Sequence, residues 1–477
     1  MASADPELDS TANKQESIPP QTSELVPSTP LLYVTWNGPN DPSNPQNWTY
    51  RQKWAGTLII SGFGLVSPIS SSMVSPAVDA IAHEFGTSST ITSEMILSIF
   101  VLAWGLGPLL LGPLSEMYGR VRVLQLGNLM YLIFNIAGGF SQSTAQIIVF
   151  RFLSGFGGSG PLVLGDGVLA DIWPTEQRGS AVAIYSLAPL FGPAIGPIAG
   201  DSSRISGMVG LLGIFFLKET YTPYLLKLKA QNLRKETGNQ SSTQLWKTSI
   251  ARPFLLLGTQ PIIQALGIYM AFLYGLMYLM LASFPSLWQD IYRESISIAS
   301  LNYISIGVGL LLGTQIGARL NNRIYNHLNH HTSTPTPEPL PEYRIPLLLP
   351  ASILVGTGMF WYGWSANPHI PWIIPNLGIA LISIGIIIAF QCIQLYIIDT
   401  YPLYAASAMS ATAILRSLAG FAFPLFANDM YARLGYGWGN TVLGFVAILV
   451  GGPAMILLWR GGAGLRRRSP YASGWSQ

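Results

Sequence analysis

Charge is what this sequence has least of. Only 10% of its 477 residues are Asp, Glu, Lys or Arg, against about 25% in a typical soluble domain. Hydrophobic residues make up 49%, and the mean hydropathy is +0.39. A surface so poor in charge must face something other than water, and lipid fits. The net charge is a modest +3 and forms no stripe that could track a phosphate backbone, so nucleic acid is not an expected partner. There is one cysteine, Cys392, which excludes an intramolecular disulfide framework and reads as a small buried hydrophobe. Among the five histidines, His327, His330 and His331 cluster in a polar stretch that reads as a solvated loop in preference to a metal site. No metal and no cofactor is expected. Nor is there a His-rich motif, a nucleophile elbow or a phosphate loop, so the chain does not read as an enzyme.

What is present in abundance is long apolar runs. A helix needs about 20 such residues to cross the hydrocarbon core. Spans are expected near 54–76, 92–112, 123–140, 147–169, 180–200 and 205–217, then near 254–284, 298–319, 345–364, 371–398, 403–427 and 437–459. Runs of this length are too long and too uniformly apolar for the strands of a membrane barrel. The expected fold class is all-α and polytopic, with two six-helix bundles. Residues 51–217 and 253–460 form the two bundles, and a basic connector at 218–252 joins them. Residues 1–50 read as a disordered cytoplasmic tail with no secretory leader, and 461–477 as a second tail. Basic residues crowd alternate loops: Arg120, Arg122, Arg178, Lys218, Lys227, Lys229, Arg319, Arg323, Arg344 and Arg466–Arg468. The other loops hold only Arg204, Arg293 and Arg433. The positive-inside rule then places both termini in the cytoplasm. The sixth run is short. Ile205 to Leu217 is 13 residues, which rise about 20 Å against a core of about 30 Å.

Ionisable groups inside a span are costly and mark pathways or packing locks. Arg151 and Asp166 fall in the fourth span, and a carboxylate in a helix bundle makes Asp166 the candidate proton carrier. Arg416, in the eleventh span, reads equally as a packing lock or as part of a cavity. Gly192, Pro193 and Gly196 make the fifth span dense in small and helix-bending residues, which suits a moving interface. Tyr269, Phe272, Tyr274 and Tyr278 crowd the seventh span. They read as core packing or as the wall of a cavity for a flat organic substrate.

Several motifs together resemble the major facilitator superfamily, in its fungal twelve-helix drug:proton antiporter branch. Gly112-Pro-Leu-Ser-Glu-Met-Tyr-Gly-Arg-Val-Arg122 is similar to the family's cytoplasmic loop motif, which implies a conformational latch of Gly112, Glu116, Gly119, Arg120 and Arg122. Glu116 stands where aspartate is commoner, and Met117 where arginine is frequent. Arg151 with Gly155 resembles the fourth-helix motif linked to proton coupling, and Gly192-Pro-Ala-Ile-Gly196 the antiporter motif. Asp171 and Arg178 match the loop after the fourth helix, where the resemblance implies a pairing of Asp171 with Arg120. Asn44-Pro-Gln-Asn-Trp48 and Lys218-Glu-Thr-Tyr-Thr-Pro-Tyr narrow the likeness to the fungal branch, over about residues 40–460. Against that pattern, roughly a helix's worth of sequence is absent between Gly200 and Asp201.

The resemblance implies proton-coupled efflux of drugs, toxins or secondary metabolites by alternating access. The expected partners are a small organic substrate, protons and the lipid bilayer, for a monomer in the plasma membrane in preference to the vacuolar one. Alternatives are a polyamine or other physiological solute transporter of the same fold, or a membrane protein that does not transport because its sixth helix is cut short.

Overall fold

The computed structural model describes residues 35–38, 40–87, 89–174, 181, 184, 185, 192, 196, 203–234, 253–330, 340–401 and 405–472. Every regular element among them is helical. The first half comprises α1 (Tyr50–Ser72), α2 (Val78–Glu84), α3 (Thr90–Tyr118), α4 (Arg120–Gly138), α5 (Thr144–Gly158), α6 (Gly160–Ile172) and α7 (Ser203–Phe216). The connector carries α8 (Thr222–Arg234). The second half comprises α9 (Pro261–Pro285), α10 (Ile296–Leu301), α11 (Ile304–His330), α12 (Leu348–Ser365), α13 (Ile373–Thr400), α14 (Ala405–Ala422) and α15 (Pro424–Arg467).

Local chemistry sets the boundaries. Thr49 and Gln52 form a capping box that starts α1, and the Ser89 and Ser143 hydroxyls cap α3 and α5. Each supplies an acceptor to an amide that has no partner within the helix. Between α3 and α4 the chain turns at Gly119, with φ 93°, a conformation that disfavours any Cβ. A Cβ there would also lie 2.3 Å from the Glu219 carboxylate. Gly435, with φ 70°, makes the sharp turn inside α15.

Eight helical segments among the described residues are long and apolar enough to cross a bilayer. The other four of the expected twelve spans are not among these eight. The fourth breaks at Ser159 into α5 and α6, and the eleventh divides at Phe423 between α14 and the start of α15. Of the fifth, 181, 184, 185, 192 and 196 are described. The sixth is α7, whose 14 residues rise about 21 Å. It seats between α1 and α4: Val209 packs on Gly62, and the Ser206 hydroxyl donates to Asn128 Oδ1 at 3.0 Å.

Position in the bundle follows from burial. In α9, 83% of the most apolar stretch is inside, which marks it as a central helix; in α4 only 33% is. The outward stripe of α4 is Leu126, Leu129, Ile133 and Ile136, each about half exposed or more, at helical spacing. Such a stripe would be unfavourable in water and is at ease against lipid chains.

Candidate functional site

Among the described residues, three sets of hydrogen bonds join the two halves, all in the part of the molecule away from the connector. The Ser75 hydroxyl donates to the Leu281 carbonyl at 2.6 Å and lies 2.8 Å from the Tyr303 hydroxyl. Tyr278 donates to Ser71 Oγ at 3.0 Å. The Asn428 amide donates to Glu94 Oε1 at 2.6 Å, while Asn428 Oδ1 accepts from Ser286 at 3.3 Å. Glu94 is 4% exposed. Nearer mid-height α3 and α14 touch, and a Cβ on Gly105 would lie 2.1 Å from Ser417 Cβ.

At the connector end, the described ion pairs close within each half. Arg120 Nε donates to Asp171 Oδ2 at 2.6 Å, both side chains being less than one-fifth exposed. The backbone amides of Arg120 and Val121, at the start of α4, donate to Glu219 at 2.9 and 3.2 Å. A carboxylate at a helix N-terminus meets both unpaired donors and the positive end of the helix dipole. Thr220 donates its hydroxyl to Asp171, and Tyr221 stacks on the Arg120 guanidinium at 4.7 Å. Arg122 donates to the Tyr224 hydroxyl at 2.6 Å. Gly112 lies nearly two turns before the end of α3, and its carbonyl accepts from Ser115. Glu116 is exposed, and Arg178 lies outside the described residues. Sequence reasoning missed Glu219. Its only signal was its place in the Lys-Glu-Thr-Tyr segment after the sixth span.

The second half carries its own network at the same end. Arg344 Nε donates to Asp399 Oδ2 at 3.0 Å, its Nη1 bonds Asn321 and Asn322, and it stacks on Tyr325 at 3.9 Å. Arg466 holds Glu342 through two bonds of 2.9 and 3.0 Å.

The intramembrane residues separate into two groups. Arg151, 5% exposed, reaches the Ser70 and Ser71 carbonyls with Nη2 at 3.3 and 3.4 Å and covers the Phe100 ring at 5.2 Å. It thus satisfies carbonyls at the C-terminal end of α1, where a cation is favoured. The Asp166 side chain lies outside the described residues, although its backbone is helical. Gly155 lets α5 reach the Phe100 carbonyl of α3, and Gly192 and Gly196 lie against Pro68 and Ile69 of α1. Pro193 is outside the described residues. The Arg416 guanidinium sits 4.9 Å over the Tyr274 ring, which also meets Tyr278 at 5.0 Å and Phe390 at 6.2 Å. Phe272 packs edge-on against Phe423. Tyr269 turns elsewhere: its hydroxyl is 2.7 Å from Ser352 Oγ in α12, inside the second bundle. A groove of about 670 Å³ lined by Arg323, His327, Met455 and Trp459 also belongs to the second bundle and lies apart from the contacts between halves. No group of His, Cys, Asp and Glu fit to hold a metal occurs among the described residues; the side chain of His330 and all of His331 lie outside them.

Comparison with known proteins bears on this geometry. A family model described as Major Facilitator Superfamily matches residues 60–424. The chain is similar to the efflux pump vrtL of Penicillium aethiopicum, 43% identical with 92% of each chain covered. It is similar also to the efflux pump radE of Floropilus chiversii, 38% identical over 87% of this chain and 81% of that one. Among solved structures, a D-xylose-proton symporter matches with a TM-score of 0.62 at 17% identity, covering 85% of this chain and 97% of that one. The match to vrtL runs over 465 aligned positions but takes up 92% of 477 residues, about 439, so about 26 positions have no residue here.

Proposed function

This chain belongs to the major facilitator superfamily, and we propose that, as a transporter of that family, it exports small organic compounds such as secondary metabolites in exchange for protons. The observation that carries the reading is the distribution of contacts. Hydrogen bonds between the halves gather at one end, while the ion pairs at the other end close within each half. That is the arrangement expected of one state of an alternating-access cycle, in which two bundles rock about a site near the midplane. The basic loops lie at the connector end, so this end is assigned to the cytoplasm and the closed end to the outside. Plasma-membrane placement and a monomeric chain complete the proposal.

In this scheme Gly119, Arg120, Asp171 and the neighbouring latch residues set the balance between states. Asp166 carries the proton, and Arg151 communicates with the interface through α1, because Ser71 both accepts from Arg151 and receives Tyr278. Coupling requires that Asp166 hold its proton differently in the two states. Inside-out vesicles bearing the purified chain, with an acidic lumen, are expected to accumulate a fluorescent planar dye and to lose it when the gradient is collapsed. Asp166→Asn should abolish the gradient-driven part while leaving expression intact. Full-rate, gradient-driven uptake by that variant would remove Asp166 from the mechanism.

The 14-residue α7 favours a second reading, a membrane protein that does not transport. Gradient-independent dye levels in the same vesicles would support it.

A further inference from the structure

Two guanidinium groups stand close to the contacts between the halves, and none of the described ion pairs engages either. The three described ion pairs join Arg120, Arg344 and Arg466 to carboxylates. Arg151 and Arg416 are held instead by aromatic faces, Phe100 and Tyr274, and Arg151 also by two backbone carbonyls. In both, Nε is buried and has no hydrogen-bond partner. Between them runs a line of contacts. Arg416 covers Tyr274, Tyr274 meets Tyr278, Tyr278 donates to Ser71, and the Ser71 carbonyl accepts from Arg151. Both cations lie within electrostatic range of the Tyr278 hydroxyl.

Arg151 is buried and Arg416 half-buried; a cation drawn out of water without a counter-ion is expensive, and an aromatic face offsets only part of that cost. An unpaired N–H on a guanidinium is a donor in a fixed plane, suited to a carboxylate or a phenolate. Arg416 is also twelfth of the 18 residues of α14, and α14 ends at the Phe423–Pro424 break. It therefore lies near the middle of the eleventh span, at the depth where transporters of this architecture bind substrate. The Tyr274 ring lies under it, and Tyr278 and Phe390 pack against Tyr274 in turn.

We propose that Arg416, held in place by the Tyr274 ring beneath it, is a substrate-binding residue that selects flat aromatic anions, with Arg151 contributing positive potential from the first half. The inference rests on the exporter reading and deepens it. A polyamine would meet two cations here and be repelled.

Three probes with one ring system and three charges test this: 9-anthracenecarboxylate, its methyl ester and 9-(aminomethyl)anthracene. Equilibrium binding to the full chain in detergent, followed by fluorescence anisotropy at pH 7, should favour the carboxylate over the ester by about tenfold or more, the worth of one charged hydrogen bond. The amine should bind weakest. Arg416→Gln should remove the preference by weakening the carboxylate and leaving the ester unchanged, and Arg416→Lys should restore part of it. Equal binding of acid and ester by the unaltered chain overturns the proposal, as does an unchanged ratio in Arg416→Gln. The comparison among probes on the unaltered chain decides the matter even if the variants fail to fold. Carboxylate binding without gradient-driven uptake in vesicles would keep the inference and remove the exporter reading. Gradient-driven uptake of the amine in preference to the carboxylate would do the reverse.

Discussion

The two charged networks at the connector end occupy corresponding places and share one arginine–aspartate pair each, but their third members carry opposite charge. In the first half an arginine that opens the third span, Arg120, pairs with a carboxylate closing the fourth, Asp171. In the second half Arg344, just before the ninth span, pairs with Asp399 at the end of the tenth. The third member differs. After the sixth span the first half supplies an anion, Glu219, which binds backbone amides of α4. At the end of the twelfth the second half supplies a cation, Arg466, which binds the Glu342 side chain just before α12. One half is therefore clamped through a helix terminus, and the other mainly through side chains, with one backbone contact where Asn321 donates to the Arg344 carbonyl at 3.0 Å. A clamp on backbone fixes the position of a whole helix, whereas a side-chain pair can re-form in another rotamer. The first half is accordingly the less adjustable of the two at this end.

The strongest way to break that contrast is to remove Glu219. Glu219→Ala leaves the amides of Arg120 and Val121 without their acceptor. Bonds to a charged group contribute about 1.5–3 kcal/mol each, so a loss of about 3 kcal/mol is expected, seen as a lower thermal unfolding midpoint in detergent. Glu219→Gln, which keeps an acceptor, should lose about half as much. A midpoint for Glu219→Ala equal to that of the unaltered chain would refute the clamp.

Next in size is Arg120→Ala. Its partner Asp171 is 14% exposed, so water replaces little of what is lost. Turnover should fall about tenfold, corresponding to about 1.4 kcal/mol, with substrate affinity unchanged because the residue touches the latch and not the aromatic cluster. Arg344→Ala should have a smaller effect, about threefold, since Asp399 is 31% exposed and solvent screens the pair. The Arg466–Glu342 pair also survives the change. The double variant should be additive within about 0.5 kcal/mol, as expected of separate networks. A strong coupling between Arg120 and Arg344, measured in that cycle, would mean that the two halves move as one body at this end.

The membrane architecture was legible in the sequence because hydropathy and length alone decide what can cross lipid. The eight apolar helices coincide with expected spans, and the basic loops fall together at the connector end. The break at Ser159 was written in Gly157-Gly-Ser-Gly-Pro161, a run that weakens a helix, yet a window of about 20 residues averages over it. The pairing of Arg120 with Asp171 came from the family resemblance, across 51 residues of sequence. Glu219 was out of reach because its partners are backbone amides 98 and 99 residues away, and no side-chain pattern records a backbone contact. Tyr269 looked like its neighbours on the seventh span, but five residues along a helix is enough to turn it from Tyr274 toward Ser352. The seating of α7 on α1 and α4 depends on Gly62, Asn128 and Ser206 meeting, which no single stretch contains.

The smallest expected effect lies in the loop motif itself, and it sharpens the contrast within the first half. Arg122 is exposed and bonds a neutral hydroxyl, that of Tyr224, at 2.6 Å. Glu116 is exposed and hydrogen-bonds none of the described residues. If the clamp resides in Glu219, Arg120 and Asp171, then Glu116→Gln should leave turnover within about twofold of the unaltered chain. Arg122→Ala should lose no more than about 0.5–1 kcal/mol, the worth of an exposed polar contact. Vesicle uptake measured side by side for Glu116→Gln, Arg122→Ala and Arg120→Ala gives the ranking directly. An effect of Glu116→Gln as large as that of Arg120→Ala would move the anion of the latch from Glu219 back to the loop. The two halves would then differ less than their geometry in this state indicates, because Glu116 would have to find its partner only after the halves have rocked.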